Sequence, residues 1–269
     1  MFFYIKKLIT LIFIAIFLNN CSNPLNYFDE KEDPTKDWDA DRLYAEAKGT
    51  LDQGNYTQSV KFYQQLEARY PFGKYAQQAL LDLAYSYFKN EEHDASIAAC
   101  NRFIKLYPQN LHVDYAYYLK GLANFNKGKA TVQRFIPNEI SDESQRDPGS
   151  AFRAFQNFSE LIKRFPDSEY IEDAEQRMRH LRNNLAANEV HIATYYMRRG
   201  AFVAAVNRAR YVVENYGRTP VVPEALVIMA KAYRILEMED LAKDAVRVLK
   251  LNYPNHPGIY EVEEELEIK

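Results

Sequence analysis

The stretch Ala84–Pro108, "AYSYFKNEEHDASIAACNRFIKLYP", carries four marks at fixed distances. A small residue stands at Ala84 and another, Ser96, twelve positions later. A large apolar residue, Phe103, follows after seven more, and the aromatic-Pro pair Tyr107-Pro108 closes the stretch. The same marks recur along the chain. "RYPFG" at 69–73, "RFP" at 164–166 and "NYP" at 252–254 echo "LYP" at 106–108. Eleven positions before an aromatic stand Ser59, Ser96, Ala154, Ala205 and Ala242. The earlier small residue of each unit is Ala47, Ala84, Gly121, Ala193 or Ala230, and the steps 47→84→121 and 193→230 are each 37 residues. Leu66, Leu161, Val212 and Leu249 take the place of Phe103.

The spacing has a physical cause. A small residue on each of two antiparallel helices lets their backbones approach. The aromatic fills the space between units, and the proline cannot continue a helix. A helical hairpin of this kind cannot bury both of its faces, so hairpins stack into a superhelix with a concave side. The order small, small, large apolar, aromatic-Pro resembles the tetratricopeptide repeat. The expected fold is therefore all-α, a tetratricopeptide-repeat superhelix of about five helix-turn-helix repeats. Two segments interrupt the rhythm. "NKGKATVQRFIPNEISDESQRDPG", residues 126–149, reads as an inserted polar loop. "DSEYIEDAEQRMRHLRNNLAANEVHIATYYMRRGAF", residues 167–202, reads as one or two long helices. Residues 38–166 then hold repeats 1–3, and 167–269 hold repeats 4–5 and an acidic tail, "IYEVEEELEIK", expected to form a capping helix.

The N-terminus has a different character. Leu8–Leu18 is apolar apart from Thr10, follows Lys6 and Lys7, and no acidic residue precedes Asp29. As a helix it would span roughly 16 Å, about half of a hydrocarbon core. These features predict a secretory signal over residues 1–20 rather than a membrane span. Its end, Leu18-Asn19-Asn20-Cys21, resembles a bacterial lipobox, in which the cysteine is acylated and becomes the mature N-terminus. Cys21 is the expected lipid-attachment residue, and residues 21–37 the tether. Two or three acyl chains suffice for stable anchoring. Ser22, where an aspartate would favour inner-membrane retention, implies the periplasmic face of the outer membrane.

The formal charge is −3, and −5 once Lys6 and Lys7 are removed with the signal. A mildly acidic chain is a poor nucleic-acid binder. With Cys21 acylated, Cys100 has no disulfide partner. Cys100 aligns with Tyr63, Phe158, Ala209 and Val246, so it reads as core. The five histidines are scattered, with no metal-ligand spacing and no Gly-rich phosphate loop. No metal, no cofactor and no catalytic residue is expected; the chain is not expected to be an enzyme.

Three stretches carry a closer resemblance: "RYPFGKYAQQALLDLAYSYFKN" at 69–90, "QRDPGSAFRAFQNFSELIKRFPDSEYIEDA" at 145–174 and "RRGAFVAAVNRA" at 198–209. They are similar to the BamD family, the lipoprotein subunits of the β-barrel assembly machinery of Gram-negative bacteria. The resemblance implies N-terminal repeats that receive the C-terminal strand of unfolded outer-membrane proteins. It also implies C-terminal repeats that dock the periplasmic domain of the central barrel subunit, BamA, and other machinery lipoproteins. The alternative is a tetratricopeptide pilotin lipoprotein for a secretin, which should lack "RYPFGKY" and the "RDP" loop. Inward positions of the first helices predict a client groove of Tyr44, Lys48, Tyr85, Phe88, Tyr118 and Phe125. Aromatic rings beside a cation would suit a peptide ending in an aromatic residue and a carboxylate. Residues 177–218 hold eight arginines, no lysine and only Glu189 and Glu214 as acids. Arg198, Arg199, Arg208 and Arg210 are the expected docking residues for an acidic partner.

Overall fold

The computed structural model describes residues 33–267 apart from 134–147; the signal segment, Cys21 and most of the expected tether lie outside the described residues. Among the described residues there are eleven helices, ten of them in five pairs. Repeat 1 is α1 (Ala40–Asp52) and α2 (Tyr56–Arg69), and repeat 2 is α3 (Ala76–Lys89) and α4 (His93–Leu106). Repeat 3 is α5 (Val113–Gln133) and α6 (Pro148–Arg164), and repeat 4 is α7 (Ile171–Arg198) and α8 (Phe202–Asn215). Repeat 5 is α9 (Val222–Ile235) and α10 (Glu239–Asn252), closed by α11 (Gly258–Glu267). The described residues form an all-α superhelix of helix-turn-helix units.

The repeat marks do what their chemistry requires. Ala47, Ser59, Ala84, Ser96, Ala154, Ala193, Ala205 and Ala242 are all fully buried. In repeats 1 and 2 the serine also joins the two helices. Ser59 Oγ donates to the Ala47 carbonyl at 3.2 Å, and Ser96 Oγ to the Ala84 carbonyl at 2.9 Å. Each interunit aromatic ends its helix by the same bond. The N–H of Tyr70, Tyr107, Phe165, Tyr216 and Tyr253 donates to the carbonyl four residues back at 2.8–2.9 Å. The N–H three residues further on, from Gly73, Asn110, Ser168, Thr219 and His256, returns to the aromatic's own carbonyl. One turn geometry thus serves all five units, and burial of Leu66, Phe103, Leu161, Val212 and Leu249 secures it. Each such side chain contributes about 1.5–3 kcal/mol. Cys100 is fully buried among these groups, and burial pushes its thiol up to about 12, so it is an inert core residue.

Two differences from the sequence-based expectation stand out, at 126–149 and in the tether, and one open choice is settled between them. The segment 126–149 is not loop throughout: α5 continues to Gln133 and α6 begins at Pro148, while 134–147 lie outside the described residues. Residues 171–198 form one helix of 28 residues. Its first half, with Ala174 and Leu181, belongs to the core of repeats 2 and 3, and its second half, with Ala186, Val190 and Ala193, to the core of repeats 4 and 5. Finally, the end of the expected tether is packed rather than free. Thr35 is 2% exposed and its hydroxyl donates to Gln65 at 2.8 Å, while Arg69 donates to Thr35 and pairs with Asp33. Trp38 lies against Phe62, with Arg42 over its ring.

Candidate functional site

A cavity of ≈ 450 Å³ opens where the first helices of repeats 1–3 face one another. Its walls come from Lys48, Leu51 and Asp52 of α1, Tyr56 of α2, Gln78, Leu81, Asp82 and Tyr85 of α3, His112 and Tyr115 at the start of α5, and Tyr170 before α7. The apolar part is aromatic. The polar part converges on Asp82. Its Oδ2 accepts from the Tyr63 hydroxyl at 3.0 Å and the Tyr44 hydroxyl at 3.3 Å, and its Oδ1 accepts from Gln78 Nε2 at 2.8 Å. Burial and the neighbouring carboxylate push the Tyr44 hydroxyl up to about 12 and raise that of Tyr63 too, so both remain protonated donors. Lys48 lies 3.1 Å from Asp52, one turn along α1.

Of the six residues expected to form the groove, Lys48 and Tyr85 line this cavity. Of the other four, Tyr44, Tyr118 and Phe125 serve contacts between units and Phe88 packs within repeat 2. Tyr44 stacks on Tyr75 with ring centroids 4.2 Å apart, and Phe88 packs near His93. Tyr118 stacks on Tyr170 at 4.7 Å and donates to Asp173 at 2.6 Å. Phe125 lies under the Arg177 guanidinium, 5.1 Å from its ring centroid. Repeat register located the inward helix faces, but not which side chains a neighbouring unit would cover. Asp82, Tyr115, His112 and Tyr170 were missed. Tyr170 lies in the turn after the third aromatic-Pro pair, where sequence periodicity assigns no inward position.

The arginine-rich segment forms the α7–α8 end of repeat 4. Arg198 and Arg199 are exposed at the end of α7, with Arg199 over the Tyr195 ring. Arg208 is engaged within the chain, its Nη1 3.0 Å from Glu189. Arg210 meets Asn207 at 2.7 Å and Glu214 at 3.9 Å. Among the described residues no group of histidine, cysteine and carboxylates could hold a metal ion.

Residues 36–249 match the YfiO family, described as outer membrane lipoprotein. The chain belongs to that family. It is an outer-membrane lipoprotein of the BamD type, a scaffold rather than an enzyme. The outer membrane protein assembly factor BamD of Neisseria meningitidis serogroup B is 41% identical over 252 residues, covering 94% of this chain and 93% of the relative. BamD of Xylella fastidiosa strain Temecula1 is 34% identical, with 81% and 74% covered, and that of Vibrio cholerae 34% identical, with 78% and 86% covered. The family match begins in the packed strap around Thr35 and ends at Leu249, spanning all five repeats.

Proposed function

We propose that this BamD-family lipoprotein, anchored through Cys21 on the periplasmic face, holds the C-terminal strand of an unfolded outer-membrane protein in the cavity of repeats 1–3. It would do so while the arginine-bearing end of repeat 4 docks an acidic periplasmic domain of BamA within the β-barrel assembly machinery. The observation that carries this reading is the aromatic cavity with Lys48 at its edge. A volume of this size is ordinary for a site that grips one or two side chains. An aromatic client residue would lie against Tyr85 and Tyr115. The terminal carboxylate would face Lys48, whose pair with Asp52 is solvent-exposed and exchanges readily. Photo-crosslinkers placed at Lys48, Tyr85 and Tyr170 should trap a peptide bearing a barrel protein's C-terminal sequence. A crosslinker at Tyr195, in repeat 4, should not. Equal trapping of a scrambled peptide at the cavity positions would reject the reading.

A further inference from the structure

The motif "RYPFGKY", residues 69–75, contributes no side chain to the cavity. Four of its side chains instead hold the start of the folded chain. Arg69 donates to the Thr35 carbonyl and, at 2.9 Å, to the Thr35 hydroxyl, and it pairs with Asp33. The Tyr70 hydroxyl donates to the Trp38 carbonyl at 3.1 Å. Asp41 is gripped by Lys74 at 2.5 Å and by the Tyr75 hydroxyl at 2.6 Å. Gln65, one turn before Arg69 on α2, adds a bond to each of Asp33 and Thr35. The strap also closes on itself. The Thr35 N–H donates to Asp33 Oδ1 at 3.0 Å, and the N–H groups of Lys36 and Trp38 donate to the carbonyls of Asp33 and Thr35. Pro34, between the two gripped residues, restricts the backbone and lowers the entropy cost of ordering it. A terminal repeat needs its outer face shielded, and Trp38 against Phe62 supplies that. The polar grip lies beyond Trp38, on the side toward Cys21, and its one apolar residue, Pro34, stays exposed.

We infer that this grip is a latch that sets the working length of the lipid tether. With the latch closed, the chain runs twelve residue steps from Cys21 to Asp33, a reach of ~43 Å when fully extended. With it open, the chain is free as far as Asp39, the N-cap of α1, which gives eighteen steps and ~65 Å. The closed latch therefore keeps the Arg69 end of α2 within the shorter distance of the leaflet and limits how far repeats 1–3 can swing from it. The contacts that close it are polar and partly exposed, with the Asp33 and Arg69 side chains 41% and 26% accessible, so it can open without unfolding the repeat behind it. The inference rests on Cys21 as the anchor and does not depend on what the cavity binds.

Two measurements test it, both comparing the full lipoprotein with the double variant Asp33→Ala/Thr35→Ala, which leaves every helix of the repeats unaltered. The first is amide exchange on the mature protein in detergent. Protection of the Lys36 and Trp38 amides should fall by about tenfold in the variant, while amides of α1 and α2 stay within about twofold of wild type. The second is complementation in cells whose only copy of the gene carries graded deletions within residues 24–31, which spare Cys21 and Ser22. With the latch intact, outer-membrane protein levels should collapse at some deletion length. Opening the latch should let the chain tolerate deletions longer by up to six residues, the steps between Asp33 and Asp39. A strap that only stabilised repeat 1 would give the opposite result, because the variant would then tolerate less. The same deletion limit in both backgrounds would overturn the inference, as would full function of the wild-type chain lacking all of 24–31. So would unchanged protection of Lys36 and Trp38. Failure of the anchor reading looks different: Cys21→Ser leaves mass and membrane association unchanged, and that result removes the inference while the amide protection remains.

Discussion

Gly121 occupies the first small position of repeat 3, and no larger residue fits there. A Cβ built on it would lie 2.4 Å from Cε1 of Phe158, a fully buried ring. Replacing a helical glycine with alanine ordinarily stabilises by roughly 0.5–1 kcal/mol. Here the clash should reverse the sign, because overpacking a filled core costs about 1–3 kcal/mol. Gly121→Ala should melt below wild type, and a higher melting temperature would show that Phe158 can move aside. The hairpin turns give the opposite case. Gly54 and Gly200 have φ of 76° and 74°, and the equivalent positions one repeat on, Glu91 and Glu237, are also left-handed at 62° and 60°. A glutamate held there is strained. Glu91→Gly and Glu237→Gly should each stabilise by about 0.5–1 kcal/mol, while Gly54→Ala should destabilise; chemical denaturation would read all three.

Helix α7 is the element on which the two halves of the superhelix depend, and Asp173 in its first turn ties it to repeat 3. The Tyr118 hydroxyl donates to Asp173 Oδ2 at 2.6 Å, and Arg177 grips the same carboxylate from one turn along. Burial by itself would raise the Asp173 pKa, but the hydrogen bonds from Arg177 and Tyr118 outweigh it and hold the carboxyl below its ordinary 3.8. A carboxylate depressed on folding stabilises in its ionised form. That contribution is complete above about pH 3.8, and it is lost as pH falls through the lower folded value. Protection factors of amides in α5 and the first half of α7, corrected for the intrinsic exchange rate, should therefore fall as pH drops below about 3.8, ahead of those in repeat 5. Asp173→Asn should speed the same amides at pH 7 and flatten their acid response. An acid response identical to wild type would place the titrating group elsewhere.

At the scale of the whole molecule, the proposed client cavity of repeats 1–3 and the proposed docking face of repeat 4 are connected through α7. The docking face needs a test that respects its internal pairs. Arg208→Glu would set one carboxylate against Glu189 and disturb the α7–α8 contact as well as any partner. Arg198 is exposed and carries no ion pair among the described residues, so Arg198→Glu isolates docking. If Arg198 lies at the rim of the interface, the loss should be under about 1 kcal/mol; if it is desolvated against an acidic residue, about 2–5 kcal/mol. The Arg208→Glu/Glu189→Arg double exchange should keep the helical contact and still weaken docking. Unchanged affinity of both variants for the isolated partner domain at low salt would place that surface elsewhere.

The sequence by itself determined the repeat. Small residues at helix crossings, and an aromatic-Pro pair at each unit boundary, are local requirements, so they survive as a period that can be counted. The inward helix faces followed from the same register, which is why Lys48 and Tyr85 were legible as cavity residues. What tertiary structure decided is which inward side chains remain uncovered. Tyr118 and Phe125 lie on the same inward face of repeat 3, at the register positions of Leu81 and Phe88, yet Tyr170 and Arg177 lie over them. Asp82 shows the limit most plainly. In sequence it is one acid among many. Only the convergence of Tyr44, Tyr63 and Gln78, drawn from three helices, makes it a fixed charge in a cavity, because charge balance depends on neighbours in space and not along the chain.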